Sequence, residues 1–99
     1  MNIPKCYIAG KISGLPVDEY TAKFAIAEDY INVVTEYVAV NPVTLPHNHD
    51  KTWLSYMREC LRAMLECEAV YFLSDWAKSD GANIEYRVAN LLGLKIFHE

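Results

Sequence analysis

Glu85 is the residue of greatest chemical interest in this chain. It lies about one turn into a helix that Ser79 or Asp80 caps, beyond the apolar run Ala69–Leu73. An acid placed there sits above strand ends, where open α/β sheets bind ligands. The adjacent Ile84 and Val88 are expected to point into the core, which sets Glu85 at the border of the buried face. A carboxylate held in a polar cleft can attack an electrophilic carbon, as in retaining glycoside cleavage. The plainer alternative is a solvent-facing acid paired with Lys78 or Arg87, an arrangement that is common and weak. On the first reading the position points to a small-molecule site, for a sugar or a nucleotide.

Other residues fall near the same strand ends. Ser79-Asp80-Gly81 opens the helix. Free N–H groups there attract phosphate or carboxylate, and Gly81 would let a ligand approach the backbone; ordinary capping is the alternative. Gly10 to Gly14 follows the first apolar run and contains Lys11 and Ser13, either of which can contact an anion. It is neither the GxGxxG nor the Walker pattern, so no dinucleotide or triphosphate site follows. Tyr7 precedes this loop and either directs its hydroxyl at the cleft or packs as a core tyrosine. Trp76 stacks on a base or covers the core. Asp75, beside it, is a second cleft carboxylate. His47 and His49, with only Asp50 near them, lack the partner set of a metal site, so neither a metal nor a cofactor is expected.

These groups need a framework, and the chain supplies one. Lys5–Ala9 reads as a strand. Tyr20, Phe24, Ala27, Ile31 and Val34 recur at helical spacing within Val17–Val34. Asp18 and Glu19 fall in its first turn, where the helix dipole favours acids. Tyr37–Val40 reads as a second strand, broken by Asn41-Pro42. After an irregular stretch, a helix is expected over about Lys51–Cys67, with Trp53, Met57, Cys60, Leu61 and Met64 as its apolar stripe. Ala69–Leu73 is a central strand covered on both faces. The next helix turns Ile84, Val88, Leu91 and Leu92 inward and stops at Gly93. Leu94–Phe97 is the last strand. Strands alternating with helices imply an α/β domain with a parallel four-stranded sheet.

Composition narrows the function classes. The 99 residues make one domain, 1–99, and 53% of them are hydrophobic, enough for a packed core. The net charge is −4, with no basic run. A polymeric nucleic-acid partner is therefore not expected, because phosphate backbones are bound by clustered Lys and Arg. Cys6, Cys60 and Cys67 are too few and too widely spaced for a disulfide framework, and are read as reduced core thiols. No apolar run is long enough to cross a bilayer, and no signal peptide is evident, so a cytoplasmic protein is expected by elimination. Seven tyrosines and apolar helix residues point to a homo-oligomer.

Taken in order, Tyr7-Ile-Ala-Gly10-x-Ile-Ser-Gly14, Asn41-Pro42 and Ser79-x-Gly81-x-x-x-Glu85 form a pattern over nearly the whole chain. It resembles the nucleoside 2-deoxyribosyltransferase-like superfamily, and within it the short bacterial and phage proteins of the DUF4406 type. The resemblance implies a small Rossmann-like (flavodoxin-like) three-layer sandwich and an oligomer. It implies that Glu85 attacks C1′ of a deoxyribose with release of the base, that Tyr7 orients Glu85, and that Ser79 and Gly81 hold a 5′-phosphate. Gly10 and Gly14 match the first-loop glycines. Two positions depart from the family pattern. Lys11 replaces a proline, and Cys60, in Arg58-Glu-Cys-Leu61, replaces an aspartate that contacts sugar and base. A thiol is a weaker acceptor and proton donor than a carboxyl group. The alternative function is therefore a nucleotide-binding protein that does not cleave its ligand.

Overall fold

The computed structural model describes residues 3–46 and 52–99. Their elements are β1 (Lys5–Ala9), α1 (Val17–Val34), β2 (Val38–Val40), α2 (Trp53–Leu65), β3 (Ala69–Phe72), α3 (Asp80–Leu91) and β4 (Lys95–His98). A short 3₁₀ turn, Trp76–Lys78, forms where the sequence predicts only a loop. Thr52 caps α2 by accepting the Ser55 N–H, so this helix begins and ends two residues inside the predicted span. Gly93 follows α3 with φ +72, a conformation a side chain disfavours.

All strand pairs are parallel, in the order β2-β1-β3-β4. The chain therefore runs outward from β1 to β2 and then crosses back over β1 to β3. The carboxyl ends of β1 and β3 form the switch point, the place where such sheets leave a crevice. Strand alternation then divides the core into two layers. Cys6 and Ile8 pack with Phe24, Ala27 and Ile31 of α1 on one face. Tyr7, Ala9, Val70 and Phe72 pack with Cys60 and Met64 of α2 and Ala82 and Ala89 of α3 on the other. This is the small Rossmann-like sandwich expected. Cys6, Cys60 and Cys67 are buried, free thiols, and burial pushes Cys6 and Cys67 up to about 12. No helix among the described residues is long and apolar enough to cross a membrane.

The third helix corrects the sequence reading. Its apolar stripe was expected inward, yet Leu91 is 84% and Leu92 59% exposed, and Ile84 is exposed as well. The buried positions are Ala82, Glu85 and Ala89. Close approach is the cause. A Cβ on Gly81 would stand 2.8 Å from Met57 Sδ of α2, and only small residues fit between α3 and the sheet. Val88 keeps a half-buried place at the margin. Val34 and Trp53, at the ends of the other two stripes, are exposed as well.

Enlarging the small face should therefore be costly and changing the large one cheap. Ala89→Leu is expected to lose about 1–3 kcal/mol through overpacking, and Leu91→Gln no more than about 0.5 kcal/mol. Urea unfolding of both variants checks the ranking, and the opposite order would restore the predicted face.

Candidate functional site

A cleft of about 120 Å³ opens at the carboxyl ends of β1 and β3. Its two sides differ in chemistry. The loop after β1 contributes Gly10, Lys11, Ile12 and Ser13, and the start of α3 contributes Lys78, Ser79, Asp80 and Gly81. From α2 come Trp53, Tyr56, Met57 and Cys60, with Pro42 from the end of β2. Tyr7 and Glu85 line its inner part, both almost wholly buried.

The Tyr7 hydroxyl donates to Glu85 Oε2 at 2.6 Å. These residues are 78 positions apart in the chain and meet only because α3 turns its small face inward. Glu85 is 5% exposed, so the alternative of a surface ion pair with Lys78 or Arg87 does not hold. Its Oε1 has no hydrogen-bond partner among the described residues. Burial pushes the carboxyl from an ordinary 4.5 up to about 7, with the Tyr7 hydrogen bond acting as a restraint. The phenol of Tyr7 is driven well above its usual value by burial and by the charge of Glu85 beside it. Cys60 stands next to both. Burial raises its thiol to about 11, against hydrogen bonding with Tyr7 and Tyr56. The thiol is therefore neutral at physiological pH, and Glu85 is the group here that titrates near it.

The cationic side is arranged by backbone contacts. Lys11 Nζ donates to the Lys78 carbonyl at 3.4 Å, which bridges the two loops. Ser79 Oγ accepts the Ala82 N–H at 3.1 Å and so caps α3. That bond leaves the hydroxyl hydrogen for another acceptor. Asp75 does not line the cleft. It accepts the Lys11 N–H at 3.1 Å and pairs with Lys23. Burial raises its carboxyl, but the hydrogen bonds from Lys23 and the Lys11 N–H prevail and hold it below the usual range.

Several other positions singled out in the sequence lie elsewhere. Trp76 is outside the cleft lining and stacks on Tyr86, with ring centroids 4.5 Å apart. Gly14 is also outside it, in a turn at φ +84. Gly10 does line the cleft, but its missing side chain serves packing, since a Cβ would fall 2.7 Å from Leu73 Cδ1. Gly81 serves packing in the same way against Met57. Buried Asn41 braces the end of β2 by donating to Glu28 Oε1 and accepting the Val43 N–H. His47 and His49 lie outside the described residues. Among the described residues no group of three or more His, Cys, Asp or Glu is placed to hold a metal ion.

Sequence reasoning missed the aromatic side of the cleft. It assigned Trp53 and Met57 to the core stripe, gave Tyr56 no role and read Pro42 as the break after a strand and part of a motif. The available signal was the position of Trp53 directly after the cap of α2, the helix end that meets the strand termini.

Parallel strands, a switch-point cleft and a buried acid with a phenol partner define a small α/β domain with one candidate site. The chain belongs to the DUF4406 family, a domain of unknown function, whose model matches residues 4–98. Neither the curated proteins nor the solved structures contain a match to it.

The raised carboxyl has a consequence for stability. Between pH 4.5 and about 7 the folded chain keeps a proton on Glu85 that the unfolded chain has released. Stability therefore falls as pH rises through that window and levels off above it, by on the order of 3 kcal/mol. Glu85→Gln carries no such proton and still accepts from Tyr7. Urea unfolding should show the variant gaining on wild type from pH 5 to 7, with a constant margin beyond. Parallel pH curves would show that Glu85 is not held in a protonating environment.

Proposed function

We propose that the cleft binds a nucleoside or nucleotide and that Glu85 attacks C1′ of its sugar. One observation carries this reading. A buried carboxyl that titrates near neutrality is bonded to Tyr7 through one oxygen and has no partner among the described residues on the other. Such a group is poised to react at physiological pH. In the proposed reaction a bond forms between C1′ and a Glu85 oxygen as the C1′–N bond breaks. The base leaves with the bonding electron pair and takes up a proton. Water or a second base then displaces Glu85 from C1′ and restores the carboxylate. Tyr7 fixes the direction of the attacking oxygen. Lys11, Lys78, Ser79 and the first turn of α3 suit a phosphate on the sugar. Asp75, ionised in its pair with Lys23 and outside the cleft lining, is a poor proton donor to the departing base. The resemblance to nucleoside 2-deoxyribosyltransferase-like enzymes supports the same chemistry.

A second reading has its own support. Retaining glycoside cleavage ordinarily uses two carboxyl groups. At the cleft floor, beside Glu85, stands the neutral thiol of Cys60. On this reading the cleft holds a nucleotide without cleaving it.

The oligomer expected from the sequence has a candidate face. Helix α1 exposes Ile26 and Val33 on the side away from the sheet. A helix apolar on both sides is normally covered on both. Light scattering should give a mass above the 11.3 kDa of one chain, and Ile26→Lys should lower it.

Incubation with deoxynucleoside monophosphates and chromatography of free base tests the catalytic reading. Glu85→Gln should abolish release by several powers of ten, and Tyr7→Phe should weaken it less. Turnover should rise with pH and level off above about 7, as the attacking carboxylate forms. Undiminished release by Glu85→Gln would refute the nucleophile. The binding reading predicts a thermal shift with nucleotide but no free base, together with activity gained on Cys60→Asp.

A further inference from the structure

The cleft is too small for a whole nucleotide. It encloses about 120 Å³, against the roughly 300 Å³ at which drug-sized sites begin. The volume suits a pentose-sized group, and whatever such a group carried would emerge at the rim. The rim on the α2 side is aromatic. Along one stripe of that helix, exposure falls from 47% at Trp53 to 6% at Met57 and 2% at Cys60. The stripe runs from the mouth to the floor, where Cys60 stands beside Tyr7 and Glu85. Seven residues of helix cover about 10 Å, a reach that suits a sugar and the ring attached to it. Trp53, as the first residue of α2 behind the Thr52 cap, is anchored on a rigid element.

We propose that Trp53 is the stacking platform for the planar ring of the ligand, and so sets a preference for aromatic over non-aromatic substituents on the enclosed sugar. The inference rests on reading the Glu85 cleft as a nucleotide site, and it deepens that reading. A half-exposed indole offers a π-face that every base can use, so Trp53 confers aromatic preference with little choice among bases. The cationic side fixes the polarity of the ligand. Phosphate lies toward Lys11 and Lys78, and the ring toward Trp53.

The chain has two tryptophans, and Trp76 is stacked on Tyr86 outside the cleft lining. Calorimetry with the four common 2′-deoxynucleoside 5′-monophosphates and with 2-deoxyribose 5-phosphate tests the proposal on wild type, Trp53→Ala and Trp53→Phe. Trp53→Ala should weaken the nucleotides by about 10-fold or more and leave the sugar phosphate unchanged. Trp53→Phe should keep most of the nucleotide affinity yet lose the ligand-dependent quenching of tryptophan fluorescence that wild type shows. Equal nucleotide binding by wild type and Trp53→Ala overturns the inference while the site reading stands. An equal loss for sugar phosphate and nucleotides also overturns it, by showing that Trp53 merely supports the fold. Failure of wild type to bind any nucleotide removes the reading of the site, and the inference with it.

Discussion

A carboxyl group shut away from water, with one phenol as its hydrogen-bond partner, is the constraint around which this domain is arranged. Burying Glu85 is unfavourable for its charged form, and the shift toward pH 7 measures that cost. The fold tolerates it because several features converge on one point. Tyr7 ends up on the α2–α3 face of β1 by strand alternation. Ala82 and Ala89 let α3 approach the sheet. Gly81 lets Met57 close the gap from α2. A larger residue at any of the helix positions would move Glu85 away from Tyr7 and release the strain by letting water in.

That arrangement explains which parts of the molecule could be read from the sequence. Strand and helix order follow from period and composition, which depend on each segment alone, and β1, α1, β3 and the Gly93 stop came through within a residue or two. The rotation of α3 did not. Counting apolar residues assigns Ile84, Leu91 and Leu92 to the core, because large side chains usually bury the most area. Interhelical distance decided otherwise, and a distance between elements is not a local property of either. Glu85 and Tyr7 were nevertheless paired in advance. The pairing came from the resemblance of the motifs, with strand ends and a helix start as its physical counterpart.

The cleft shows the same division. Its cationic side was legible because Lys11, Ser13 and Ser79 fall in loops beside strand ends. Its aromatic side was not, since Trp53 and Met57 keep perfect helical spacing with Cys60 and Met64. A periodic stripe on a helix that passes from core to rim belongs to both, and its first turn lines the site. The glycines carry a similar lesson. Gly10 and Gly81 both line the cleft, and a side chain on either would meet Leu73 or Met57. Their role is to set distances between elements, and through those distances the width of the cleft.

Cys60 acquires a different meaning in this setting. Its thiol has been treated as the loss of an acid, yet a carboxylate there would add a like charge beside Glu85. Two such groups in a dry floor cannot both ionise near neutrality, and one is forced to hold a proton. With a thiol raised to about 11, Glu85 titrates without a competing acid at its side, and its ionised form is well populated at neutral pH. On the proposed catalytic reading, a thiol in place of an aspartate removes a proton donor for a leaving group and at the same time frees the attacking group to ionise. On that reading, cleavage as against binding alone turns on how much help the leaving group needs. A ring that departs readily requires only the Glu85 carboxylate, whereas a poor leaving group would stay bound.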